Sequence, residues 1–237
     1  MENPFIREEM MFGAQALEKL KHARVIVFGV GGVGSFAAEG LARAGVGEIT
    51  LVDNDTVGTS NINRQLCALH STIGKYKAEV MAQRIADINP ACRVEPMPYL
   101  YCEEDKERFF ARPYDYVIDA IDLVSCKLSL IATAKQRGIP IISAMGTGNK
   151  LDPFGLRITD ISKTSGCPLA RVVRRELRAR GIAHHTVLFS EETPRTPLPA
   201  EVPPPGRRSV PASVSWVPSC AGLMLAGYVV QQLIAQP

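Results

Sequence analysis

The sequence predicts an α/β protein: a Rossmann-like, mostly parallel sheet with helices on both faces, extended by C-terminal strands and helices. Short apolar runs alternate along the chain with segments whose apolar residues recur every three or four positions. A glycine-rich turn, "GVGGVGS" at residues 29–35, joins the apolar run "RVIVF" to the helical segment "FAAEGLARAG". Such alternation favours right-handed βαβ crossovers and parallel strand pairing.

Each element is justified by its own stretch of sequence. The strands expected in residues 1–150 are "RVIVFG", "EITLVD", "YDYVIDAID" and "IPIISAMG". The helices between them are "FAAEGLARAG", "YKAEVMAQRIADI" and "SCKLSLIATAKQRG". Beyond residue 150, "LRITDI" and "HHTVLFSEE" read as strands on either side of a basic helix. We therefore expect one domain over residues 1–237, with a core at 1–150 and an extension at 151–237.

Two later segments do not follow this alternation of strands and helices. A proline-rich stretch predicts an exposed loop near residues 193–212. The C-terminal stretch "VSWVPSCAGLMLAGYVVQQLI" carries no charge and is long enough to cross a membrane. Pro218 and Ser219 interrupt it and no basic flank follows it, so we expect a buried core helix that begins near Ser219 and no membrane association.

Composition limits the redox and metal chemistry. The six cysteines form no C-x-x-C pair, which argues against a zinc site, and the charged N-terminal stretch does not resemble a secretion signal. A reducing cytoplasm is the expected location. The four histidines have no metal-binding spacing, and His184 and His185 are expected on the exposed basic side of the protein.

The glycine turn predicts a nucleotide site. Gly29, Gly31 and Gly34 fit G-x-G-x-x-G directly after a strand, where backbone amides and a helix N-terminus meet a phosphate. Asp53 ends the next strand, where a carboxylate can accept hydrogen bonds from ribose hydroxyls. A dehydrogenase would share all of these features.

Polar and cationic residues after Asp53 favour ATP over a redox dinucleotide. The stretch "DNDTVGTSNINRQ" and the following "GKYKAE" supply Asn61, Asn63, Arg64, Gln65 and Lys77. Hydride transfer needs no extra cations at the phosphates, whereas Arg64 and Lys77 can neutralise charge that develops as a triphosphate is split. Each of these cations, taken singly, could also be an ordinary solvated surface residue. We interpret Lys75 as such a surface residue.

The motif "VIDAID" supplies a candidate magnesium ligand. Asp119 and Asp122 stand at the carboxyl end of a predicted strand, the edge at which ligands bind in open α/β sheets. Magnesium prefers one or two carboxylates together with phosphate oxygens, and Asp122 is the candidate. The alternative for Asp122 is an N-cap of the helix that starts near Ser125. Asp119 is expected to support the structure.

These motifs together resemble the ThiF/MoeB adenylyltransferases, relatives of the ubiquitin-activating enzymes, over residues 7–150. The resemblance implies that a carboxylate attacks the α-phosphate of ATP, releasing pyrophosphate, in a homodimer that uses Mg²⁺. It implies a catalytic set of Arg64, Lys77, Asp122 and, by a looser alignment, Arg7 reaching across the dimer. The implied ATP-binding set is Gly29, Gly31, Gly32, Gly34, Asp53, Asp55, Asn61, Asn63, Arg64, Gln65 and Lys77.

The second half resembles the branch of this family that dehydrates threonylcarbamoyladenosine in tRNA. The resemblance lies in "GNKLDPFGLRITDISKTSGCPLARVVRRELRARGI" and "VPASVSWVPSCAGLMLAG". It implies activation of the threonyl carboxylate and closure of a ring by the neighbouring carbamoyl group. Two alternatives stay open: adenylation of the C-terminal glycine of a sulfur-carrier protein, and a nucleotide-gated RNA-binding module without catalysis.

A basic helix in the second half is the candidate tRNA-binding element. Residues 163–208 hold nine Lys and Arg against four Asp and Glu. In "ARVVRRELRARG" the spacing places Arg171, Arg174, Arg175 and Arg178 on one helical face, which suits a phosphate backbone. The alternative is an exposed helix with ordinary solubilising charge. Cys167 is expected as its N-cap, with a catalytic thiol as the less favoured interpretation.

Overall fold

The fold is a single seven-stranded sheet, seen in a computed structural model that describes residues 3–198 and 210–235. The strands are β1 (Arg24–Phe28), β2 (Glu48–Val52), β3 (Arg93–Met97), β4 (Tyr116–Asp119), β5 (Ile141–Ala144), β6 (Leu156–Asp160) and β7 (Thr186–Ser190). Their order is β3-β2-β1-β4-β5-β7-β6, and all neighbours are parallel except β6 with β7. The strand order reverses between β1 and β4, which creates a crevice at their carboxyl ends.

Helices cover both faces of the sheet, as predicted. They are α1 (Ile6–Phe12), α2 (Ala14–His22), α3 (Gly34–Arg43), α4 (Lys77–Ile88), α5 (Lys106–Phe109), α6 (Val124–Gln136), α7 (Pro168–Ala179) and α8 (Trp216–Ala235). Side chains of α2, α3, α4 and α8 share one buried apolar cluster, and those of α5, α6 and α7 share a second. The Rossmann-like fold class is therefore confirmed.

Strand β3 was absent from the sequence prediction. It pairs only with β2, at one edge of the sheet, and most of its side chains are partly exposed. Its sequence "RVEPM" contains Glu95 and Pro96, so it lacks the apolar run that marks the central strands. Proline is tolerated here because an edge strand can leave one side of its backbone unpaired.

The extension beyond residue 150 adds two strands to the same sheet. Thr186 of β7 is in register with Ile142 of β5, and β6 then pairs along the outer side of β7. The expectation for His185 was wrong: its side chain is buried, and its Nε2 lies 2.8 Å from Ser143 Oγ. Burial, reinforced by the charges of Lys135 and Lys127, lowers the pKa of His185 to about 3. His185 is therefore a neutral core residue.

Helix α8 is a core helix that begins at Trp216, three residues before the predicted start. Its length and composition alone would allow it to cross a membrane. In this fold it packs closely on α3, because a Cβ placed on Gly222 would lie 2.3 Å from the carbonyl oxygen of Val33. The predicted proline-rich loop at 193–212 includes residues 199–209, which lie outside the described residues.

Candidate functional site

The glycine turn lies in the crevice between β1 and β4. Gly29 has φ of +85°, and a Cβ there would lie 2.7 Å from the carbonyl oxygen of Ala120. A Cβ on Gly34, the first residue of α3, would lie 1.8 Å from the carbonyl oxygen of Gly29. Only glycine fits at these two positions, so the turn is compact and its amides precede a helix N-terminus.

Asp53 braces this turn. Its Oδ2 accepts a hydrogen bond of 2.6 Å from the backbone N–H of Val30, and its Oδ1 accepts one of 2.8 Å from that of Asp55. Burial raises the pKa of the Asp53 carboxyl, and the nearby Lys77 ammonium opposes that rise. The carboxylate thus stands beside the turn at the end of β2, the position from which it can meet a ribose.

Lys77 is held at the same edge of the sheet. It is the first residue of α4, and its backbone N–H donates to the carbonyl oxygen of Asp55 over 3.0 Å. Its Nζ lies 2.7 Å from Asp55 Oδ2, and its side chain is only 6% exposed. A shielded ammonium interacts with a phosphate more strongly than one in open water. The local structure therefore fits the predicted role of Lys77.

The segment from Asn61 to Gln65 packs against the glycine turn. Asn61 Oδ1 accepts a hydrogen bond from the N–H of Gly58 (3.0 Å), which closes a 3₁₀ turn. Arg64 Cγ lies 3.5 Å from a Cβ placed on Gly32, and Gln65 Nε2 lies 3.8 Å from one on Gly31. Arg64 Nη1 donates to the carbonyl oxygen of Ser60 (2.8 Å), which orients the guanidinium. The predicted cation is therefore next to the glycine turn.

Asp119 forms a buried ion pair that sequence reasoning missed. Lys127 Nζ lies 2.7 Å from Asp119 Oδ2, and both side chains are fully buried. The same ammonium donates to the carbonyl oxygen of Ala144 (3.0 Å), and Asp119 Oδ1 accepts from the N–H of Ile121 (3.0 Å). The pair joins β4, β5 and α6 beneath the loop that carries Asp122. The predicted supporting role of Asp119 agrees with this geometry.

Asp122 is exposed in the loop after the carboxyl end of β4, and Ala120 of the same loop lies against Gly29. Within residues 3–198 and 210–235, no three His, Cys, Asp or Glu side chains cluster closely enough to hold a metal by themselves. The donor set fits a hard cation that takes one carboxylate and completes its shell with phosphate oxygens and water. Asp122 is therefore a candidate magnesium ligand that depends on bound ATP.

Arg7 lies apart from these residues along the chain, on the exposed helix α1. This helix packs against α2, and the neighbouring Phe5 ring lies 3.7 Å from a Cβ placed on Gly45. Arg7 is therefore placed on the surface, and its predicted contribution to a site stays a prediction.

Three of the four arginines predicted to share one face of α7 are exposed, and the fourth, Arg174, is not. Arg171, Arg175 and Arg178 are exposed. Arg174 Nη1 donates instead to the carbonyl oxygen and the hydroxyl of Thr164, over 2.7 and 2.6 Å. Three arginines thus face solvent, and Arg175 among them also contacts Glu176 Oε1 at 2.9 Å.

Cys167 occupies the predicted N-cap position of α7 and is followed by Pro168. Its thiol is buried, and Sγ lies 3.9 Å from a Cβ placed on Gly146, just beyond β5. The neighbouring Lys150 is also buried, and its Nζ donates to the carbonyl oxygen of Ser190 over 3.0 Å. Burial lowers the pKa of Lys150. This environment favours a packing role for Cys167 over an acyl-accepting one.

A C-terminal segment completes the rim of the site, and sequence reasoning missed it. Asn63 Nδ2 donates to the carbonyl oxygen of Ser213 over 3.0 Å. Pro218, in the first turn of α8, lies 3.2 Å from a Cβ placed on Gly32. Segments about 150 residues apart along the chain thus meet at the nucleotide site.

Known proteins resemble this chain in sequence and in fold. A model described as "ThiF family" matches residues 6–236. A Bacillus subtilis (strain 168) protein named tRNA threonylcarbamoyladenosine dehydratase is 48% identical over 243 residues, covering 99% of this chain and 96% of that protein. "Adenylyltransferase and sulfurtransferase UBA4" of Saccharomyces cerevisiae (strain YJM789) is 37% identical over 138 residues, covering 58% of this chain and 31% of that protein.

Solved structures share the fold over nearly the whole chain. The E. coli tRNA N6-threonylcarbamoyladenosine dehydratase in complex with AMP superposes with a TM-score of 0.89 at 35% identity, covering 98% of this chain and 94% of that one. The same enzyme in complex with ATP gives a TM-score of 0.88 at the same identity and coverage.

Proposed function

Because the chain belongs to the ThiF family, we propose that it is an ATP-dependent dehydratase of threonylcarbamoyladenosine in tRNA. The observation that carries this proposal is the convergence of Asp53, Arg64 and Lys77 on the glycine turn at the carboxyl edge of the sheet. The named relative of nearly equal length and the AMP and ATP complexes of the E. coli enzyme support it.

The proposed reaction has two steps. An oxygen of the threonyl carboxylate forms a bond to the α-phosphorus of ATP, and the bond from that phosphorus to the bridging oxygen breaks, releasing pyrophosphate. The neighbouring carbamoyl group then attacks the acyl carbon and loses a proton to solvent, and AMP leaves with the former carboxylate oxygen. The nucleoside has then lost one water. Arg64 and Lys77 stabilise the negative charge that grows on the phosphates in the first step.

Magnesium fits this site through Asp122. When bound, the ion would screen charge on the triphosphate oxygens. The exposed Asp122 carboxylate would hold it from the end of β4, while Asp53 and the glycine turn orient the nucleotide. The fully buried Lys127–Asp119 pair, which also binds the N–H of Ile121, would help to hold the loop of Asp122 at that edge.

Three further features belong to the same proposal. The exposed arginines of α7 would contact the tRNA backbone, and the enzyme would act as a homodimer in which Arg7 reaches the partner's site. The described cysteines are all free thiols, which is compatible with a cytoplasmic location.

The test is product analysis with ATP and tRNA that carries threonylcarbamoyladenosine. We expect AMP and pyrophosphate in equal amounts and a nucleoside lighter by one water in mass spectrometry. Lys77→Ala and Arg64→Ala should lower turnover roughly a hundredfold, the scale of losing one key electrostatic stabiliser. Lys75→Ala is the matched control, since Lys75 is exposed two residues earlier and should leave turnover unchanged.

Release of ADP and phosphate would contradict the adenylation chemistry. Pyrophosphate exchange stimulated by a small carrier protein, without any effect of tRNA, would favour sulfur-carrier activation instead. The shorter coverage of the sulfurtransferase relative argues against that alternative.

A further inference from the structure

An aromatic surface that the proposed chemistry does not use borders the nucleotide site. Phe154 is 86% exposed and Trp216 is 48% exposed, and Leu151, whose carbonyl oxygen accepts a hydrogen bond from Trp216, is 39% exposed. We call Leu151, Phe154 and Trp216 the aromatic edge. Phe154 lies in the turn between β5 and β6, and Trp216 is the first residue of α8.

The backbone around the aromatic edge is held firmly. Trp216 Nε1 donates to the carbonyl oxygen of Leu151 over 2.7 Å, so the indole is fixed on the loop and its polar atom is satisfied. Asp152 Oδ1 accepts a hydrogen bond from the N–H of Phe154 (2.8 Å). Arg157 Nη1 donates to the carbonyl oxygen of Phe154 (2.6 Å). Both rings are therefore presented from braced backbone, which lowers the entropy lost on binding.

Hydrogen bonds connect this loop to the nucleotide site. Asn149 donates its N–H to the carbonyl oxygen of Ala212, and its Oδ1 accepts from the N–H of Ala212, both at 2.7 Å. The next residue, Ser213, accepts from the side chain of Asn63 in the predicted phosphate-binding motif. A nucleoside activated at the glycine turn would thus have its neighbouring nucleotides close to the aromatic edge.

We propose that the aromatic edge stacks against unpaired bases of the tRNA that flank the modified adenosine. This inference rests on the proposed function and names a contact within it. Sequence-specific proteins bind unpaired RNA by stacking splayed bases on aromatic rings. Two rings and one leucine are also far too small a surface for a stable protein interface, which buries about 800 Å² per partner.

Charge near the aromatic edge is nearly balanced, which separates its contribution from that of α7. Arg157 Nη2 lies 3.6 Å from Glu191 Oε2, and Arg195 Nε lies 3.7 Å from Glu192 Oε1. Few counterions would therefore be released here when RNA binds. The binding contributed by the aromatic edge should accordingly be almost independent of salt, unlike that of a row of exposed arginines.

The experiment uses the full chain and an anticodon stem-loop RNA that carries threonylcarbamoyladenosine. Trp216 is the single tryptophan, so its fluorescence reports directly on the aromatic edge and should be quenched as RNA is added. Phe154→Leu keeps an apolar side chain but removes the stacking surface, and should weaken RNA binding about tenfold at every salt concentration. Phe154→Tyr keeps the ring and should bind like the wild type.

Dehydration by the wild type tests the proposed function, and the variants test the aromatic edge. If the wild type dehydrates tRNA but Phe154→Leu binds RNA normally and Trp216 fluorescence does not respond, the stacking proposal is overturned. A changed oligomeric state of Phe154→Leu with unchanged RNA affinity would likewise overturn it and assign the rings to a contact between copies. If the wild type neither binds nor dehydrates tRNA, both proposals fail.

Discussion

At the scale of single residues, Lys127 is a buried charge that lies beneath the candidate nucleotide site. Its ammonium has two oxygen partners, Asp119 Oδ2 and the Ala144 carbonyl, and no exposure to solvent. Asp119 in turn accepts the N–H of Ile121, one residue before Asp122. The ion pair therefore connects the fold's interior to the candidate magnesium ligand.

We expect Lys127→Met to leave Asp119 as an unpaired buried carboxylate, at a cost of about 3–5 kcal/mol in the free energy of unfolding. Urea denaturation measures this cost, and Lys135→Met on the exposed side of the same helix is the matched control. Combining Lys127→Met with Asp119→Asn should recover part of the loss, because no charge is then left unpaired. A single variant as stable as the wild type would show that the pair does not support the fold.

At the scale of elements, α7 is divided between the core and the surface. Ala170, Val173 and Leu177 are buried, Arg174 is bound to Thr164, and the exposed residues include Arg171, Arg175 and Arg178. An amphipathic helix of this kind both anchors the extension and presents positive charge.

We expect replacement of Arg171, Arg175 and Arg178 by alanine to flatten the salt dependence of tRNA binding by roughly two units in the log–log slope. Each neutralised phosphate contributes about 0.7 for a single strand and about 0.9 for a duplex. Binding at several salt concentrations measures the slope. Arg174→Ala is the control on the same helix: it should lower stability and leave the slope nearly unchanged. An unaltered slope in the triple variant would make α7 an ordinary solvated face.

At the scale of the whole molecule, α1 exposes apolar side chains that the proposed homodimer would cover. Its described residues include none that are buried, and Met10 and Met11 are about four-fifths exposed, at 80% and 79%. Ile6 is half exposed beside Arg7. An apolar helix face that carries a predicted catalytic arginine is consistent with the proposed homodimer.

Subunit mixing tests this arrangement. Arg7→Ala and Arg64→Ala should each be nearly inactive alone, with unchanged melting temperatures. When the two variants are mixed and allowed to exchange subunits, one site of each mixed dimer regains both arginines if Arg7 acts in the partner's site, so activity should reappear. Light scattering should show a dimer. An active monomer, or no recovery after proven exchange, would contradict the assignment of Arg7.

Much of the site could be predicted because its signals are local. The spacing of the glycines, the acid at the end of β2 and the cation at the start of α4 all follow from short segments whose periodicity marks a strand, a turn and a helix. The central strands were predictable for the same reason, since each is a continuous apolar run. Strand β3 was not, because its position at the edge of the sheet removes the need for such a run.

The sequence by itself determined the fold class, the compact glycine turn after β1 and the polar residues that follow β2. Only the tertiary structure decided that Lys127 is buried against Asp119, that Arg174 is bound to Thr164, and that His185 is a neutral core residue. It also decided that Ser213 accepts a hydrogen bond from Asn63, that Pro218 packs against Gly32, and that Trp216 is bonded to the loop that carries Phe154. These facts depend on contacts between segments far apart in the chain, and such contacts are set by how the helices and loops pack on the completed sheet rather than by any local pattern.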